Sequence, residues 1–111
     1  MLFTFDQSPF LSITSKVFEF FNERYEIASD VEIYHTDLSN ENAVGLTEVN
    51  NKKQFIQIHN DLNEDDYVTT VLHELVHVIQ NEQGITADNV REDQAYHMEK
   101  VLFKGDRKSV V

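Results

Sequence analysis

Apolar and polar positions alternate with two different periods along this chain, and each change of period marks an element. Ile13, Val17, Phe20 and Phe21 recur at three- and four-residue spacing, one stripe of an amphipathic helix over ITSKVFEFFNERYEI with Ser12 as its cap. Residues 1–11, before it, read as an apolar lead-in or a short strand that packs on the body. From 30 to 36 the period drops to two, with Val31 and Ile33 set against Glu32 and Tyr34, the pattern of a half-buried strand. Asn40 to Asn42 form a turn cluster, 43–49 a second extended segment, and Asn50-Asn51-Lys52-Lys53 a hairpin loop. A third strand follows over 54–59, with Phe55 on one face and Ile56 and Ile58 on the other.

Beyond a polar connector the period returns to that of a helix. Asn63 is the cap, and Glu64, Asp65 and Asp66 put anions on the first turn, where the helix dipole favours them. This helix runs from about 64 to 83 and stops at Gly84, as a C-terminal glycine dictates. Residues 85–89 are a short link in which Thr86 or Asp88 caps a last helix, from about 89 to 103, ending at Gly105. The expected class is α+β in one domain, 1–111: an N-terminal helix and a small, mostly antiparallel sheet of three to four strands, covered on one side by helices.

Charge and composition narrow the function classes. Twenty acids against nine bases give a net charge of −11, which opposes binding to nucleic acid or an anionic membrane through a basic surface. The basic clusters, Lys52-Lys53 and the tail from Lys104 to Lys108, read as solvated. With no cysteine, disulfides and thiolate-held metals are excluded, so any metal must be held by nitrogen and oxygen. The start of the chain, broken by Asp6 and Pro9, does not read as a signal peptide, and no apolar run approaches membrane-spanning length. The expectation is a soluble cytoplasmic protein.

The residues that carry chemistry are HELVH, His73 to His77, in the middle of the long helix. Four residues turn a helix through about 400°, so His73 and His77 lie one above the other on one face. That spacing lets two imidazoles reach one tetrahedral zinc ion. Glu74, beside the first, can take a proton from water polarised by the metal without binding the metal itself. Both histidines stand off the apolar stripe of Val68, Leu72, Leu75, Val76 and Ile79, whereas a histidine of the core would sit inside it.

A third ligand is sought in REDQAYHMEK, where Glu92, Asp93, His97 and Glu99 are the candidates. Two imidazoles and a carboxylate make a zinc sphere with one position open to water. Glu92, Tyr96 and Glu99 share a helix face, while His97 points about 140° away from Glu92. Ala95, Met98 and Leu102 form the adjoining packing stripe. Spacing leaves both Glu92 and Glu99 open. Tyr96, one turn after Glu92, is a candidate donor to a tetrahedral oxyanion, against a plain packing role. Gln80 is a candidate partner for an imidazole N–H, and His59, at a strand end, a weaker candidate for the cleft. Phe18, Phe20 and Phe21 read as core.

HELVHVIQ followed by E-x-x-A-Y resembles the gluzincin group of metallopeptidases, and especially small phage and bacterial forms. In those forms a strand, an acidic connector and the HExxH helix follow one another, as IQIHNDLNEDDYVTTVLHELVHVIQ does here. The resemblance spans about residues 54–100. It implies Zn2+ as cofactor, His73, His77 and Glu92 as ligands, and Glu74 as general base. It also implies an edge strand, 54–59 or 43–49, that pairs with an extended peptide or protein substrate, and a place in the cytoplasm of a bacterium or a phage-infected cell. Tyr96 stands where many gluzincins carry an aspartate. The expected function is zinc-dependent peptide-bond hydrolysis. The alternatives are a metal-binding or protein-interaction module on the same scaffold, and a protein without metal.

Overall fold

The computed structural model describes residues 2–4, 11–41, 43–50, 52–84 and 88–110. Along them run β1 (Leu2–Thr4), α1 (Leu11–Arg24), β2 (Asp30–Thr36), β3 (Gly45–Asn50), β4 (Lys53–His59), α2 (Glu64–Gln83) and α3 (Asp88–Val110). The class is α+β, as the sequence of periods predicts.

The strands form a sheet in the order β1-β2-β4-β3. It is mixed, and the expectation of a mostly antiparallel sheet fails. β1 pairs with β2 and β2 with β4 in parallel, and the β3–β4 hairpin alone is antiparallel. The connections explain this. α1 intervenes between β1 and β2, and β3 between β2 and β4, so each chain return is long enough to re-enter from the same end. β3 ends at Asn50 and β4 begins at Lys53, a separation too short for a parallel crossover.

Val31, Ile33, Ile56 and Ile58 point from one face of the sheet into a core shared with Val17, Phe18, Phe20 and Phe21 of α1 and most of α2. α1 begins at Leu11, so Ser12 lies inside the helix rather than capping it. It ends at Arg24, short of the expected Ile27. There Asn22 Oδ1 accepts the Ile27 N–H at 2.8 Å, while the Arg24 guanidinium donates to the Phe20 carbonyl at 3.0 Å. The Asn22 side chain takes over an N–H that a further helical turn would have paired, and the Arg24 guanidinium adds a second donor to a carbonyl of the last turn.

α2 has the bounds its end signals predict. Asn63 Oδ1 accepts the Asp66 N–H at 2.8 Å, and Gly84 closes the helix in the left-handed region, at φ 74°. Polar anchors fix its register on the sheet: buried Gln54 of β4 donates to the Val78 carbonyl at 3.0 Å and accepts from Asn81 at 2.9 Å. α3 starts at Asp88, which is therefore a helical residue, and Thr86 lies outside the described residues. It continues through Gly105 to Val110, past the expected stop. A glycine inside a helix costs only roughly 0.5–1 kcal/mol; it ends one where the chain turns left-handed, as at Gly84. Among the described residues no helix is long and apolar enough to cross a membrane.

Candidate metal centre

α2 is covered on nearly every side, because α3 lies over the face that the sheet and α1 leave free. The two histidines do stand off the apolar stripe, yet they are not at the surface: the side chain of His73 is 12% exposed and that of His77 9%. Their Nε2 atoms lie 3.1 Å apart. Glu92 of α3 brings Oε1 to 2.9 Å from His77 Nε2 and Oε2 to 3.6 Å from His73 Nε2. The three donors lie within 4.8 Å of one another, a group that could hold a metal ion.

The far side of each ring decides which nitrogen faces this point. His77 Nδ1 lies 2.8 Å from Gln80 Oε1. The orientation of that amide is set by its nitrogen, which donates to the Arg91 carbonyl at 3.0 Å and to Gln94 Oε1 at 2.7 Å. His73 Nδ1 lies 2.7 Å from Glu99 Oε2. Both Nδ1 positions thus face acceptors and carry the proton, which leaves both Nε2 lone pairs turned toward the Glu92 carboxylate. With both rings neutral such a group is self-repelling, and a cation among its members relieves that repulsion. A tetrahedral zinc with donors at about 2.0–2.1 Å separates them by roughly 3.3 Å, near the 3.1 Å between the two Nε2 atoms and the 2.9 and 3.6 Å from them to the two different oxygens of Glu92. The residues fit a nitrogen–oxygen divalent metal.

Glu74 is separate from this donor group. Its side chain turns toward β3, where Thr47 Oγ1 donates to Oε1 at 2.7 Å. Burial pushes its carboxyl above the usual value of 4.5. The Thr47 hydrogen bond and the neighbouring His77 and His73 oppose that shift, and Glu92 adds to it. The strand can come this close only because residue 45 lacks a side chain: a Cβ there would meet Thr70 Cγ2 at 2.8 Å and Glu74 Oε2 at 2.9 Å. Sequence reasoning missed both contacts. An isolated glycine opening a strand was the available signal, since it marks a close backbone approach.

A cleft of about 850 Å³ runs over these groups, with Val44, Gly45 and Thr47 on one wall and Arg91, Glu92 and Tyr96 on the other. Its strand wall is β3, an edge of the sheet, whereas β4 is interior. The family-implied edge is therefore 43–49 and not 54–59. The His59 N–H bonds to the Val44 carbonyl at 2.8 Å, and the register pairs Gly45 with Ile58. By the alternation of antiparallel pairs, the N–H and C=O of Gly45 and Thr47 then point away from β4, toward the open edge.

The other sequence candidates are also placed. Tyr96 leans its ring on His73, with centroids 4.8 Å apart, and is 55% exposed. Asp93 and His97 are exposed and outside the cleft lining. His59 is turned to the loop after β2, where its Nδ1 accepts the Leu38 N–H at 3.0 Å. Ala95 and Leu102 are buried as the packing stripe requires.

No curated protein and no solved structure matches this chain. Residues 27–103, from just before β2 to well into α3, match the Peptidase_M78 family, described as the IrrE N-terminal-like domain. That span holds the sheet edge, the HExxH helix and the glutamate helix together, and the chain belongs to this Peptidase_M78 family.

Proposed function

We propose that the protein is a zinc-dependent peptidase of gluzincin type, with His73, His77 and Glu92 as metal ligands and Glu74 as general base. The observation that carries this reading is the convergence of three donors beside a buried carboxylate that stays out of the donor group. An extended peptide adds to the open edge of β3, bonding the outward N–H and C=O groups of Gly45 and Thr47, and so lies along the cleft. Zinc bound there supplies Lewis acidity to the scissile carbonyl and lowers the pKa of adjacent water toward about 7. Glu74 accepts that water's proton on its carboxylate and passes it to the leaving amine. Its raised affinity for a proton suits a group that must hold one between the two steps. Tyr96, on the cleft wall against His73, provides a phenolic donor to the developing oxyanion.

Elemental analysis and a peptide-library cleavage assay, on wild type and Glu74→Gln purified without chelator, test the reading. About one zinc per chain in both proteins is expected, with cleavage by the wild type alone. Cleavage by Glu74→Gln, or by the wild type in excess chelator, refutes it.

A further inference from the structure

Glu99 does not belong to the converging donor group, although it shares a helix face with Glu92. Its carboxylate sits behind His73, 2.7 Å from Nδ1, and its side chain is only 13% exposed. The partners of the two rings run in opposite order along the two helices. His77, later on α2, is tied through Gln80 to Arg91 and Gln94, early on α3. His73, earlier on α2, is tied to Glu99, later on α3. The helices are therefore antiparallel at the site, and the turn of α3 that reaches the back of His73 is the one carrying Glu99. The turn between belongs to Tyr96, which touches the ring edge-on and carries no carboxylate.

We propose that Glu99 is the positioning residue of this centre. It accepts the His73 Nδ1–H, fixes the tautomer whose Nε2 can donate to a metal, and holds the ring plane against the Tyr96 side chain. It does this from seven residues after Glu92, in the place of a carboxylate one turn after it. α3 then contributes Glu92 itself, the acceptor for one imidazole and, through Gln80, the anchor of the other. The arrangement is asymmetric: a carboxylate backs His73 and a neutral amide backs His77. A carboxylate makes the stronger acceptor of the two.

The proposal rests on the metal reading of the same cluster, and two measurements separate them. The first is the 15N imidazole spectrum of histidine-labelled, metal-free protein, which reports the His73 tautomer. The second is zinc affinity by competition with a chromophoric chelator, on wild type, Glu99→Ala, Glu99→Gln and Glu92→Gln. Expected are an Nδ1–H tautomer for His73 in the wild type, its loss in Glu99→Ala, and an affinity about 10–100-fold weaker in that variant. Glu99→Gln, whose amide oxygen still accepts, should recover part of both, and it serves as the informative variant if Glu99→Ala fails to fold. An unchanged tautomer and affinity in Glu99→Ala overturn the proposal. So does loss of zinc in Glu99→Gln with retention in Glu92→Gln, which would make Glu99 a ligand. Failure of the wild type to take up zinc refutes the peptidase reading instead. The Glu99 assignment is then decided by the tautomer alone, upheld if it changes in Glu99→Ala and overturned if it does not.

Discussion

Replacing Gly45 by alanine adds one methyl group between the edge strand and the helix that carries His73, Glu74 and His77. A Cβ at that position stands 2.8 Å from Thr70 Cγ2, 2.9 Å from Glu74 Oε2 and 3.0 Å from Glu74 Cγ. Neither neighbour is free to give way. Thr70 is β-branched, and its hydroxyl is committed to the Asp66 carbonyl at 2.7 Å, so its methyl cannot rotate off without breaking that bond. Glu74 is held at the other oxygen by Thr47, also at 2.7 Å. The strand must therefore lift, or one of the two side chains must leave its rotamer.

Overpacking of this kind costs about 1–3 kcal/mol, and the stiffer unfolded chain of the alanine variant offsets about 0.4–1 kcal/mol of it. The net is a loss of about 1–2 kcal/mol, or a melting temperature lower by roughly 4–9 °C for a domain of this size. Thermal denaturation followed by circular dichroism, in chelator, measures it. The partner variant is Thr70→Ser, which removes Cγ2 and keeps the hydroxyl. Combined with Gly45→Ala it should recover part of the loss, with a coupling of about 0.5–1.5 kcal/mol. A Gly45→Ala protein as stable as the wild type, or strictly additive single variants, would refute the close-approach argument.

Glu74 binds its proton more tightly in the fold than in the unfolded chain, because burial raises its carboxyl above 4.5. The native state then holds more protons than the unfolded one, so this group's contribution to stability falls as pH rises from about 4.5 through the raised value. Glu74→Gln lacks that penalty. In chelator it should melt higher than the wild type at neutral pH, with the gain shrinking as pH falls through the raised value and gone below about 4.5; a gain that grows on acidification contradicts the desolvation argument. Asn63→Ala removes the acceptor of the Asp66 N–H at the start of α2. It should cost about 1 kcal/mol, and a denaturant midpoint unmoved by the change would show that the cap is dispensable.

What could be read from the sequence follows from how far apart the interacting residues are. The ends of α2, its stripe and the stacking of His73 over His77 depend on neighbours within a few residues, and each obeys a rule of helix geometry. The parallel pairings of β2 with β1 and β4 do not, since alternation says which face a residue takes but not which strand lies beside it. The same limit acts at the site. Glu92, Tyr96 and Glu99 share a face of α3, and no wheel can rank them, because rotation about one helix carries no information on axial offset against another. That offset comes from Gln80 bonding across to Arg91 and Gln94, a polar lock between a buried amide and half-buried positions of α3. Once the lock sets Glu92 opposite the two Nε2 atoms, Glu99 lies two turns further along α3, where it meets the back of the first imidazole and not its front. The two glutamates are thus alike in sequence context and different in chemistry, and the difference is made by an amide contact that neither of them forms.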